Sequence, residues 1–337
     1  MKQIIYRLFK TPLFWVLSIV TVGFVLILSE RYYNTANGPA FYWDCYIESY
    51  SSQEELKEQK KSVENHLIWL QEEAISFADE ENYKDELALT IKTIDVMEYL
   101  LENELPYRDV VEGTFYGAGS NDRRAYNGYI LENCTIFMLF ASVILLLLVV
   151  TLSRSNGTYV NDVLKYGRTR LMINEAVSFF SLQILFFLCQ FASAWFIRFQ
   201  FDSIGKQYLY YYGGECHVFS PDMVQLAEWA DRFVFLLLCW TLLFVLAELL
   251  NHSVVFLLLG FVFAYYLRGV IMHTSEELYE RWFSIWPSYR VYGFGDSWYI
   301  LKYIIWLTIG TVLSAMTWLF IRHRNCVMVK RFCNTTT

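Results

Sequence analysis

The chain has none of the short motifs that mark an enzyme acting on nucleotides, peptides or metals. No glycine-rich loop ends in Gly-Lys-Ser or Gly-Lys-Thr, so the chain carries no phosphate cradle of its own. The nearest string, Gly205-Lys206-Gln207, lacks both the hydroxyl and the upstream glycine. Gly113-Thr-Phe-Tyr-Gly-Ala-Gly119 is glycine-rich, but no strand or helix is read beside it as a nucleotide loop would need, and it reads as a connector. There is no His-Glu-x-x-His, and no Ser/His/Asp or Cys/His pattern with supporting context. The five histidines are scattered, with only His217 beside a cysteine, so no metal site is spelled out. Internal repeats are missing too, which argues against a secondary transporter built from repeated halves. Excess basic charge is also lacking. The net charge is −7, and nothing points to nucleic acid.

Charge is scarce above all in six runs: Leu13–Leu28, Thr135–Leu152, Ala176–Ile197, Phe233–Leu250, Val254–Val270 and Tyr299–Ile321. Each approaches the roughly 20 apolar residues that cross a bilayer core. Soluble helices keep a polar stripe, and these runs do not. With 55% hydrophobic and 19% aromatic residues, the composition agrees. The expected fold class is an all-α integral membrane protein of six transmembrane helices.

The gaps between the runs alternate in charge. The N-terminus, residues 154–170 and the tail 322–337 together hold about 11 basic residues against one acid, Asp162, which is the bias of cytosolic segments. Residues 30–130 hold about 21 acids and 9 bases. Both termini are therefore expected in the cytosol. The first run is longer than a signal-peptide core and is followed by no small-residue cleavage pattern, so it reads as a retained span. The domains follow: 1–29, cytosolic N-terminus and first span; 30–130, an extracellular, mainly helical domain; 131–337, spans two to six. The last unit includes a cytosolic loop at 154–174, an outer amphipathic segment at 271–298 and the basic tail.

A 100-residue outer segment needs structure of its own. Ser51-Ser52 before Glu54-Glu55 predicts a helix start. Leu56, Val63, Leu67, Leu70, Ala74 and Phe77 follow at helical steps. A polar break at Asp79–Asn82 separates them from Leu87, Ile91, Ile94, Leu101 and Leu105, and Pro106 stops that second helix. The expectation is a helical hairpin with the two stripes face to face. Further on, Ser220-Pro221-Asp222 reads as a helix cap with Pro at the first position. Thr274 and Glu277 have capping-box spacing ahead of Trp282, Phe283, Trp286 and Tyr289, an interfacial signature.

The inner segment Ser153–Arg170 is the most specific. Thr158 can cap a short helix whose apolar face is Val160, Val163 and Leu164, and Gly167 can end it in a left-handed conformation. Two turns of helix are marginal in water and require a packing surface. This segment resembles the cytosolic loop of ATP-binding cassette permeases of the type-2 exporter class. Gly157-Thr158, Leu164 and Arg168-Thr169-Arg170 are the matching positions. Ser155-Asn156 stand where that family often has Glu, and Gly167 where it has Pro. The layout of six spans, inner termini and an amphipathic segment before the last span is similar as well. The outer domain 30–130 is larger than the family's usual first loop.

The resemblance implies the permease subunit of an exporter, in a bacterial plasma membrane, that moves an amphipathic cargo such as a peptide, lipid or hydrophobic drug. It implies a coupling helix formed by Gly157, Thr158, Val160, Asp162, Val163, Leu164, Arg168 and Arg170, seated on a separate ATPase. It also implies two cytosolic ATPase subunits that hold the ATP and Mg, and a second permease copy or a related permease as partner. No cofactor is expected on this chain. A sensor whose outer domain binds a ligand is the alternative, but the inner segments are too short for an output domain.

Polar residues inside the runs are few. Gln183 and Gln190 share a face of the third run, where they bond a neighbouring helix or line a path. Glu248 lies near the inner end of the fourth run, as an interfacial carboxylate. Of seven cysteines, Cys45 and Cys216 fall in outer segments and could bridge them, although connectivity does not follow from sequence.

Overall fold

The computed structural model describes residues 2–35, 46–72, 80–107, 109–112, 123–154, 167–200, 207–212, 214–250 and 253–272, with isolated positions from 304 to 319. Its helices are α1 Lys2–Lys10, α2 Pro12–Thr35, α3 Gln53–Glu72, α4 Glu80–Glu102, α5 Arg123–Arg154, α6 Arg168–Ile197, α7 Pro221–Leu250 and α8 Ser253–Met272. Its strands are β1 Val110–Glu112, β2 Gln207–Tyr212 and β3 Glu215–Phe219.

Four helical stretches are long and apolar enough to cross a membrane: Pro12–Thr35, Tyr126–Arg154, Thr169–Gln200 and Asp222–Leu250. They contain the first four runs. The fifth run lies in α8, a 20-residue helix whose side chains are described over the apolar stretch Val255–Tyr266. Most of the sixth run, like segment 271–298 beyond Met272 and the tail, falls outside the described residues.

α5 is the hub of the bundle and packs against α1, α2, α6, α7 and α8. Its inward side chains Met138, Leu139, Val143, Leu145, Leu146 and Val149 are fully buried. α8 reaches it closely because Gly260 has no side chain: a Cβ there would sit 2.9 Å from Val143 Cγ1. Small residues serve this purpose in membranes, where lipid tails compete for apolar contact and backbone proximity supplies the attraction. α1 lies across the end of the bundle at which α5 finishes. Ile4 and Leu8 are buried, and the Arg7 guanidinium donates to the Leu152 carbonyl at 3.2 Å, within the last turn of α5.

The outer domain has a separate core of Ile47, Tyr50, Leu56, Val63, Val96, Met97, Leu100, Val110 and Leu209. The helix start read at Ser51-Ser52 is present. Ser52 Oγ accepts the Glu55 N–H, and the Glu55 carboxylate accepts the Ser51 N–H at 2.6 Å. Those bonds, the Ser51 backbone first, hold the Glu55 carboxyl below its ordinary value. Glu80–Asn82, read as part of the polar break, belong to α4. Ala74 and Phe77 are outside the described residues. Ile94, Leu101 and Leu105 of the second stripe pack on this core, but its centre lies elsewhere. Thr90, Thr93, Val96, Met97 and Leu100 face inward, while Ile91 is 41% exposed. α4 is apolar on more than one side, and its partners choose the face. It ends without help from Pro106. Glu104 takes φ 50, and Leu105 N–H and Glu104 N–H return to the Leu100 and Leu101 carbonyls. This is a Schellman motif with Glu in the position glycine usually fills.

The sequence reading assigned no strands, but the outer domain contains a three-stranded sheet in the order β1-β2-β3. β1 pairs parallel with β2, and β2 antiparallel with β3. β1 comes from segment 30–130, whereas β2 and β3 come from the connection between α6 and α7. Alternation on β2 turns Leu209 and Tyr211 toward α4, and the Tyr211 hydroxyl donates to the Asp95 carboxylate. Two chain segments read separately are thus one folded body on one end of the bundle.

Candidate functional site

Buried polar side chains gather in two bands at the ends of α5, α6 and α7. At the end where α5 stops and α6 starts, Arg154, the last residue of α5, stands between two buried carboxylates. Its guanidinium donates to Glu175 of α6 at 3.0 Å and to Glu248 of α7. Glu175 and Glu248 side chains are 1% and 2% exposed, so neither charge is hydrated. A cation at the C-terminus of α5 also suits that helix dipole. Glu248, near the C-terminus of α7, sits against its own dipole and depends on Arg154. Removing one member of such a group leaves uncompensated buried charge, at about 3–5 kcal/mol.

Glu248, read as an interfacial carboxylate near the end of its run, is buried here and is a partner in an ion-pair cluster. Arg154 was read only as an inner-face base, and Glu175 was missed because it stands just outside the third apolar run. The signal was available. One base and two acids border the ends of three consecutive apolar runs, and buried carboxylates require a cation.

The coupling residues Gly157, Thr158, Val160, Asp162, Val163 and Leu164 lie outside the described residues. The short helix expected to end at Gly167 lies outside the described residues. Gly167 itself takes φ 78 and ψ 150 and forms the N-cap of α6. Arg168 opens α6, and Arg170 is exposed on its first turn.

At the opposite end, beneath the sheet, the buried Arg198 guanidinium donates to Gln225 Oε1 at 2.6 Å and pairs with Asp222 at 3.0 Å. It also lies over the Trp195 ring. Asn127 of α5 donates to the Glu228 carboxylate at 2.6 Å and accepts the Trp229 indole N–H at 2.7 Å. Glu132 and Arg232 are buried one to two turns deeper, and Arg232 acts electrostatically on Glu132. Ser220 Oγ accepts the Met223 N–H, so the cap read at Ser220-Pro221-Asp222 is present.

Gln183 and Gln190 are both fully buried within α6. Gln190 Nε2 donates to the Thr21 carbonyl of α2 at 3.2 Å, as a residue bonding a neighbouring helix does. Both side-chain polar atoms of Gln183 have no partner. In the outer domain Cys216 is a free thiol, with Sγ 3.8 Å from the Asp95 carbonyl oxygen, and Cys45 is outside the described residues. Burial pushes the Cys216 thiol up to about 12, with Asp95 adding to the effect. Among the described residues no three His, Cys, Asp or Glu side chains gather in a way that could hold a metal. No family model matches the chain, and neither a curated protein nor a solved structure matches it.

Proposed function

We propose that this chain is the permease subunit of an ATP-driven exporter, with six spans, both termini cytosolic and the acidic domain outside. Two separate ATPase subunits power it, and a second copy or a related permease completes the translocation unit. Its cargo is amphipathic. The observation that carries this reading is the Arg154–Glu175–Glu248 cluster. A loop that transmits force must be anchored to helices that move together, and this one is anchored at both ends. Arg154 directly precedes residues 155–166, and Glu175 lies two turns after them. Through Glu248 the same guanidinium also engages α7. A displacement of the loop therefore passes to three spans through charge-assisted bonds, about twice as strong as neutral ones.

The test is co-purification. The tagged chain, drawn from its native membrane in mild detergent, is expected to bring ATP-hydrolysing subunits with it. Thr158→Asp with Leu164→Asp is expected to abolish that association while leaving membrane insertion and yield unchanged. Undiminished ATPase recovery with the double variant, or none with the parent chain, overturns the assignment.

A further inference from the structure

Between its polar ends, the contact of α6 with α7 is an aromatic seam. Phe179 and Phe180 meet Phe244 at ring-centroid distances of 6.5 and 6.3 Å. Phe187 meets Phe233 at 5.1 Å and Trp229 at 5.5 Å, and Phe191 meets Trp229 at 5.4 Å. Phe179, Gln183 and Phe187 are spaced four apart and lie on one helix face. On α7, Trp240 is one turn from Phe244 and touches Phe233, at 6.4 Å. The helices run antiparallel. Gln183 is three residues past Phe180, and Trp240 is four before Phe244, so the two fall level, midway along both spans. Both are fully buried.

Gln183 is thus the polar member of an aromatic wall, and it makes no hydrogen bond. Its Nε2 and Oε1 lack partners, and so does the Trp240 indole Nε1. An amide and an indole N–H left bare in an apolar interior are costly, and nothing in a bilayer core relieves them. Asn127 is satisfied by Glu228 and Trp229, while Gln190 and Gln225 each keep one partner and leave Oε1 and Nε2 bare, respectively; among the described buried amides Gln183 differs in that both of its polar atoms are bare. Leu would fill the Gln183 position and match the surrounding wall. The unmet groups present N–H donors from both residues and one carbonyl acceptor. That set has no charge and is walled by rings.

We propose that Gln183 and Trp240 form a hydrogen-bonding site inside the single subunit, at mid-depth, for a neutral amide or hydroxyl group. Water and the backbone amide of an apolar peptide share this chemistry. The Phe179, Phe187, Phe233 and Phe244 rings make the walls. The site requires neither an ATPase nor a second copy, so it stands or falls separately from the exporter reading.

The test uses the full chain in lipid nanodiscs, with water-edited solid-state NMR of ¹⁵N-labelled Trp indoles. The Trp240 Nε1–H signal, assigned by its loss in Trp240→Phe, is expected to show transfer from water despite its depth. Adding N-acetyl-phenylalanine amide in excess is expected either to leave that transfer, identifying water as the resident, or to quench it and shift the signal, identifying an amide site. Gln183→Leu is expected to remove both responses while the other indole signals stay in place. An indole signal that is dry and unmoved by the probe overturns the proposal. So does a Gln183→Leu variant whose Trp240 signal retains its water transfer and its response to the probe.

Discussion

Arg154 is where one atom group holds the most structure. It binds a carboxylate from each of two helices and terminates a third. Arg154→Met is expected to lower stability by about 3–5 kcal/mol, because it leaves two buried carboxylates facing each other. Glu248→Gln is expected to cost less, since Glu175 still balances the guanidinium. Thermal unfolding in detergent should rank Arg154→Met below Glu248→Gln, and the reverse order would remove Arg154 from the centre of the cluster. In the outer domain, the Cys216 thiol and the Tyr50 phenol are both pushed up to about 12, chiefly by burial. The fold favours their neutral forms. Their contribution is complete below the ordinary thiol value of 9.0 and is lost as pH rises toward about 12. The unfolding midpoint of the outer domain is expected to fall across that window, and less steeply in Cys216→Ser. A flat profile between pH 9 and 12 would contradict the burial of both groups.

At the scale of elements, legibility followed how local the cause was. The four longest helices, the Ser51-Ser52 start and the Ser220-Pro221 cap depend on neighbours in sequence, and each is present. The second stripe was read only in part: Ile94, Leu101 and Leu105 pack on the core, but Ile91 is turned out and Val96, Met97 and Leu100 hold the centre, a choice that α3 and the sheet decide. The strands escaped because Val110–Glu112 is three residues long and its partner is about a hundred residues away. Glu175 escaped because its reason for burial lies on other helices. The α5–α8 contact shows the same dependence on a distant partner. Gly260→Ala places a methyl against Val143, and overpacking of this kind costs about 1–3 kcal/mol. Val143→Ala alone opens a void. The double variant is expected to recover most of the loss from Gly260→Ala, as read from unfolding midpoints in one detergent. Additive losses would show that the two side chains do not share that space.

The whole molecule has two cores that form by different physics. The bundle core lies in helices apolar enough for lipid, so packing and buried polar bonds hold it together. The second core belongs to α3, α4 and the sheet, apart from the four long apolar helices, and rests on the hydrophobic effect, at about 1.5–3 kcal/mol for each large apolar side chain buried. That outer core is discontinuous in sequence. Leu209 on β2 fills it beside Val110 and Met97, and Tyr211 reaches Asp95 on α4. Segment 46–112 alone therefore lacks the strand that covers α4 and the pairing partner of β1. Expressed as a soluble fragment, it is expected to unfold without a cooperative transition. The same fragment joined by a flexible linker to residues 207–219 is expected to regain one, with Leu209→Asp abolishing the gain. Circular dichroism through a thermal ramp reads all three. Cooperative melting of segment 46–112 by itself would make the outer body an independent domain, with the connection between α6 and α7 merely resting against it. Dependence on residues 207–219 would mean that motion of α6 and α7 reaches the acidic domain through its own core.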